Sequence, residues 1–194
     1  MKYLIAILSA VVLMTGASLQ QISKNDKYGI NPIVDTLSQI DKANQILPLV
    51  LTKEQIQKLL PKIERCRDNV RNQEKKEADR IKALSADADK VLADAVKGVV
   101  PPQEFLKRVS SLFDQFENER NGVKAANALI MNDAMNQILD AGQKKRILGV
   151  VDKVFNNTTK KWEDASENEK MTFFALSVLL DDDGYQFLVK LGAK

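Results

Sequence analysis

The chain has 194 residues, room for one helical unit with a modest core, and its 29 Lys and Arg against 26 Asp and Glu leave a formal charge of +3. So small a basic excess gives no support to a nucleic-acid partner. The sequence has no histidine and one cysteine, which excludes a Ser-His-Asp triad, a Cys-His pair and a His-based zinc or copper site, and leaves the fold to packing rather than to disulfides.

Lys2 precedes an apolar run from Tyr3 to about Met14, and Thr15-Gly16-Ala17-Ser18 follows with small residues. This is the pattern of a secretory signal, with cleavage expected after Ala17 or Ser18. The run falls short of the ~20 apolar residues that span a bilayer, so export is expected in preference to a permanent anchor. Residues 1–18 are therefore read as a signal peptide, 19–31 as a polar leader and 32–194 as a single all-helical domain.

Asn31-Pro32 suits a helix start, and Val34, Leu37, Ile40, Ile46 and Leu47 lie in or near one apolar stripe before Pro48 ends it. From Thr52 helical spacing continues without glycine to Gly98, through Ile56, Leu59, Leu60, Ile63, Val70, Ile81, Leu84, Val91 and Leu92. One helix of that length would measure about 70 Å at ~1.5 Å per residue. Pro61 either kinks it or opens a new helix. Residues 71–80 are too polar on every face for a core and are expected to stand in water or line a shallow open surface. Lone Cys66 is read as a half-buried helical thiol, with an intermolecular disulfide as the alternative.

Gly98 and Pro101-Pro102 separate this helix from a second long one, striped by Phe105, Leu106, Val109, Leu112, Phe113 and Phe116 and continuing to Leu139, with Gly122 a possible break. Asp140 caps a helix carrying Ile147, Leu148, Val151 and Phe155, which Asn156-Asn157-Thr158-Thr159 closes; both asparagines formally fit a glycosylation sequon. Ser166 and Glu169 form a capping box for a mainly apolar helix through Leu180, either the buried helix of the fold or a docking face for a partner. Asp181-Asp182-Asp183-Gly184 lacks the ligand alternation of a calcium loop and reads as a helix stop before a short helix Tyr185 to Leu191.

Two short stretches share one pattern. In Leu51-Thr52-Lys53-Glu54-Gln55, Thr52 can accept from an amide of the opening turn while Gln55 reaches back to the Thr52 amide, and Leu51 with Ile56 can close over the turn. Leu139-Asp140-Ala141-Gly142-Gln143 repeats it with aspartate as the cap, but Lys144 replaces the apolar staple partner. A doubled Leu-Thr-x-x-Gln marks the small periplasmic helical proteins of the Spy/CpxP group, and over roughly residues 40 to 160 the chain resembles them. The resemblance implies a thin, curved, all-helical homodimer with a basic concave face. It also implies ATP-independent binding of unfolding proteins, or restraint of a membrane sensor of envelope stress. The chain departs from that pattern in Asp140-Ala141-Gly142 and in its extra C-terminal helices.

The fold expected is thus all-α: long antiparallel helices, a kinked hairpin and added C-terminal helices. Residues 53–82 hold ten Lys and Arg against six Asp and Glu, a net +4, and Arg67, Arg71 and Lys75 recur every four residues on one helical face. That face is either merely solvated or a basic surface that draws in acidic segments of unfolded clients. No phosphate-binding loop, cofactor site or catalytic constellation is found, so a non-enzymatic role without cofactor is expected. The functional expectation is a periplasmic chaperone-like protein using Arg67, Arg71 and Lys75. The alternative is a regulatory partner that docks one envelope protein, such as a stress sensor, through Phe173 to Leu180.

Overall fold

The computed structural model describes residues 31–151, 153–156 and 161–193. The expected signal and leader lie outside them, apart from Asn31, and so do Asn157, Thr158 and Thr159. The described residues form seven α-helices: α1 (Asn31–Ile46), α2 (Lys53–Lys82), α3 (Ser85–Val96), α4 (Gln103–Ile138), α5 (Ala141–Val150), α6 (Glu167–Phe174) and α7 (Asp182–Gly192). The expected all-α class is what the structure shows, with one short antiparallel ladder added, β1 (Lys153–Asn156) with β2 (Lys161–Asp164).

The long helix expected from Thr52 to Gly98 is two helices. α2 runs unbroken through Pro61, which is exposed, so the carbonyl freed by its missing amide can turn to water. The break falls at Ala83-Leu84, where Leu84 donates to Ile81 in a tightened last turn and Ser85 opens α3. Gly98, at φ 89, and the two prolines end α3 and start α4 as expected, and α4 continues past Gly122. α5 stops at Val150, so Phe155 belongs to a strand, opposite Trp162 in the register, and not to a helix. Val150-Val151 and Val154-Phe155 are β-branched or aromatic neighbours that favour extended backbone. The helical run before the aspartates stops at Leu179 as expected, and the short helix after it starts earlier than Tyr185: the Asp181 carboxylate accepts from the amides of Asp183 and Gly184 and caps α7. Gly184 is obligatory there, since a Cβ would lie 1.8 Å from the Val178 carbonyl oxygen.

The chain divides into two compact units, one of residues up to 67 and from 124 onward, the other of residues 68–123; both boundaries fall inside α2 and α4. The first unit holds the apolar core. Ile56, Leu59, Ile63 and Cys66 of α2 meet Met131 and Met135 of α4, Ile147 of α5, Phe174 of α6, Val178 and Leu179 of the π-helical turn that follows it, and Leu188 of α7. The segment offered above as a docking face is therefore inside: Phe174, Ala175, Val178 and Leu179 are buried, and Phe173, Leu176 and Leu180 half-buried. On α1 the expected stripe is only partly used. Ile46 is buried, whereas Leu37, Ile40 and Leu47 face outward.

The two capping motifs meet in this unit. Gln55 accepts from the Thr52 amide at 3.0 Å and Gln143 from the Asp140 amide at 3.0 Å, while Thr52 Oγ1 and Asp140 Oδ1 accept from the amides of Gln55 and Gln143. Each glutamine then donates to the other's carbonyl oxygen, at 2.8 and 2.9 Å, and its second amide hydrogen goes to a backbone carbonyl, Ile138 for Gln55 and Leu49 for Gln143. Every donor and acceptor position of both amides is used. Leu51 and Leu139, each just before its cap, both join the core, and so does the staple residue Ile56. Lys144, in the staple position of the second copy, instead donates to the Asn136 carbonyl at 2.9 Å.

Cys66 is fully buried, not half-buried. Its thiol lies 3.8 Å from the Asn127 carbonyl, the Asn127 amide donates to the Cys66 carbonyl, and burial pushes the thiol pKa up to about 11. A thiol reagent should therefore react with native protein far more slowly than with unfolded protein, and non-reducing electrophoresis of the native protein should show no disulfide-linked dimer. Gln143→Ala should destabilise by about 2–4 kcal/mol in urea melts, because it strands the Leu49 carbonyl and half of the Gln55 amide. In a double-mutant cycle with Gln55→Ala, the coupling should reach about 1–2 kcal/mol.

Candidate binding surface

The unit of residues 68–123 is built differently. Its only buried apolar side chain is Phe116, 1% exposed, while Val70, Ile81, Leu92, Val96, Val99, Val100, Leu106 and Phe113 are all exposed. α3 buries no residue. With so little core, the helices of this unit are joined by polar contacts.

The polar stretch expected to stand in water supplies them. Along α2 the helical spacing of Ile56, Leu59, Ile63 and Cys66 continues into Gln73, Glu77 and Arg80. Gln73 and Glu77 are buried, Glu77 to 4% exposure. Glu77 receives the Arg120 guanidinium through Nε at 2.9 and 3.0 Å, with Nη2 closing the fork. Gln73 donates to Glu77 at 3.2 Å and to Glu119 at 2.7 Å. Arg80 binds Glu119 at 2.8 and 3.1 Å and Gln115 at 2.6 Å, and its guanidinium lies 4.8 Å from the centre of the Phe116 ring. Phe113 meets Phe116 edge to face at 5.9 Å. Farther along, Arg108 pairs with Asp87 and lies over Phe105, joining α4 to α3. The partners run in opposite directions, Glu77 to Arg120, Arg80 to Gln115 and Asp87 to Arg108, so within this unit the two strokes of the chain are antiparallel.

These contacts set the local electrostatics. The Arg120 hydrogen bonds hold the Glu77 carboxyl below the usual glutamate range despite burial, and Gln73, with Arg80, does the same for Glu119. Glu77 in turn raises the Arg120 pKa. This unit also has two open hollows. One, of about 250 Å³, is lined by Val91, Val99, Val100, Pro101, Pro102 and Phe105 with Asp87, Lys90, Asp94 and Arg108 at its polar side; the other, of about 340 Å³, is lined by Arg80, Ala83, Leu84, Arg108, Ser111, Leu112 and Gln115.

The three basic residues singled out from sequence have different settings. Arg67 is engaged within the apolar unit, paired with Asp182 of α7 and lying 4.4 Å from the Tyr185 ring centre. Arg71 is exposed and pairs with Asp68 at 2.6 Å. Lys75 is exposed. The six motif residues Leu51, Thr52, Gln55, Leu139, Asp140 and Gln143 come together as described, as a structural joint. Sequence reading missed the exposed apolar set and the Glu77 network. The exposed set could be found only by knowing what covers it, but the acidic and basic residues at helical spacing on two helices were a usable signal. The whole of residues 68–123 holds ten Lys and Arg against eleven Asp and Glu, so its charge is balanced.

Among the described residues no helix is long and apolar enough to cross a membrane, and no group of three His, Cys, Asp or Glu is placed to hold a metal ion. Compared with protein-family models, with curated proteins and with solved structures, the chain gives no match.

Arg67→Ala should lower stability by about 1–2 kcal/mol, since it removes a ring contact, an ion pair and a packed stem, whereas Lys75→Ala should stay within about 0.5 kcal/mol of the parent. Denaturant midpoints of the two variants check this.

Proposed function

We propose that this protein is an exported, ATP-independent chaperone-like protein, and that residues 68–123 hold unfolded or partly folded envelope proteins. The observation that carries the reading is the sparse core of this unit: Phe116 is its one buried apolar side chain, the Glu77 carboxylate is buried near it, and eight large apolar side chains stay exposed. Exposed Val, Leu, Ile and Phe side chains among charged residues suit transient contact with any extended chain that has apolar side chains to cover. Covering one such side chain yields roughly 1.5–3 kcal/mol, so two or three of them, less the cost of ordering the client, give weak and reversible capture.

The doubled Leu-Thr/Asp-x-x-Gln motif and the signal-like start support the same reading through the resemblance to the Spy/CpxP group, and with it a periplasmic location and a homodimer. Of the three basic residues, Lys75 and Arg71 are exposed, Arg71 in a pair with Asp68, and their exposure supports a role in steering acidic client segments, whereas Arg67 is held by Asp182 and Tyr185. Balanced charge across the unit makes apolar contact the main source of affinity, with steering a smaller contribution that salt screens.

Residues 19–194 at near-stoichiometric ratio should suppress aggregation of an unrelated, chemically unfolded protein in ATP-free buffer. Leu106→Asp with Phe113→Asp should weaken that suppression several-fold while leaving the helical content intact by circular dichroism. Undiminished suppression by this double variant would remove the assignment to this surface, and no suppression at any ratio would remove the chaperone reading itself.

A further inference from the structure

The polar network of residues 68–123 joins the α2 portion of this unit to α4 over a single buried aromatic. Phe116 is covered by the Arg80 guanidinium, which is itself held by Glu119 and Gln115. Glu77 is bound by Arg120, and Gln73 bridges Glu77 to Glu119. Two carboxylates thus hold two guanidiniums and one amide, with little apolar burial beside them to keep the helices together once the charges are gone.

We infer that the Gln73, Glu77, Arg80, Glu119 and Arg120 cluster is an acid-released latch, which keeps the α2 and α4 portions of this unit closed over Phe116 at neutral pH and lets them part in acid. Both carboxylates are held below the ordinary glutamate value, so their contribution to stability is present above that value and is lost as pH falls through the lower folded-state values. The surrounding charges have both signs: Arg120 and Glu119 face Glu77 from α4, Arg80 and Lys76 act on Glu119 from α2, and Glu74 acts on Arg120. The pair of Asp87 with Arg108 is about half exposed on both sides and joins α3 to α4, so it does not hold the α2 portion. Protonation of Glu77 and Glu119 leaves Arg80 and Arg120 without anionic partners, and water then competes for them. Release uncovers Phe116 beside the already exposed Phe113 and enlarges the apolar surface. This functional consequence rests on the client-binding reading above, but the opening itself does not.

Hydrogen exchange of the full chain, corrected for intrinsic rates and followed at about pH 7 and about pH 3.5, tests the latch directly. Protection in residues 71–82 and 105–120 should fall about tenfold or more in acid, while residues 128–139 keep theirs. In Glu77→Gln with Glu119→Gln the same loss should be present at neutral pH, and acid should add little. Unchanged protection of 71–82 and 105–120 in acid would overturn the latch, and so would simultaneous loss in 128–139 at the same pH. The wild-type pair of measurements stands without the variant should the variant fail to fold. Aggregation suppression at neutral pH, measured on the same preparation, separates the two ideas: acid release without suppression keeps the latch and removes the client reading.

Discussion

Two amide side chains that satisfy each other join the starts of α2 and α5 inside the apolar unit. Gln55 and Gln143 each complete a capping box at the start of a helix, and the hydrogen-bonding capacity left over is spent across the joint on the partner amide and on the carbonyls of Ile138 and Leu49. A neutral amide suits this place because it offers two donors and one oxygen with two lone pairs, all needed here. A carboxylate would bring a charge and no donors into a site where Gln143 is only 6% exposed. The joint fixes where α2 and α5 begin, and the leucines just before the two caps enter the core with it.

The other unit follows opposite physics. Phe116 is the only apolar side chain it buries, and directional, charge-assisted bonds hold its helices together. Such bonds add less net stability than packed apolar area, and they depend on ionisation, which packed area does not. One chain therefore carries a part held by burial and a part joined by charge-assisted bonds, in which eight large apolar side chains stay exposed. α2 and α4 pass through both parts, and the change in α2 is written in a single helical face that turns from Ile56, Leu59, Ile63 and Cys66 to Gln73, Glu77 and Arg80.

That face shows where sequence reading ran out. Its spacing is legible throughout and most of residues 71–80 are exposed as their polarity suggests, but Gln73 and Glu77 are buried because Glu119 and Arg120 arrive from a helix more than forty residues away. The same limit applies to Leu37, Ile40 and Phe113, apolar at helical spacing yet exposed because no element covers them. Val151 to Phe155 fits a helical or a strand period over so few residues, which is why the spacing alone does not reveal β1.

The helical class, the helix starts at Thr52, Asp140 and Ser166, and the stop at Gly98 are legible from local residues alone, because capping and backbone permissiveness act within a few residues of the chain. Only the packing of distant segments makes the two capping boxes one joint, seals Cys66 in the core, occupies Arg67 with α7, and buries Gln73 and Glu77 in a unit whose large apolar side chains are mostly exposed. Each of these depends on which distant group comes to satisfy a hydrogen bond or cover a side chain, and local spacing carries no record of that partner.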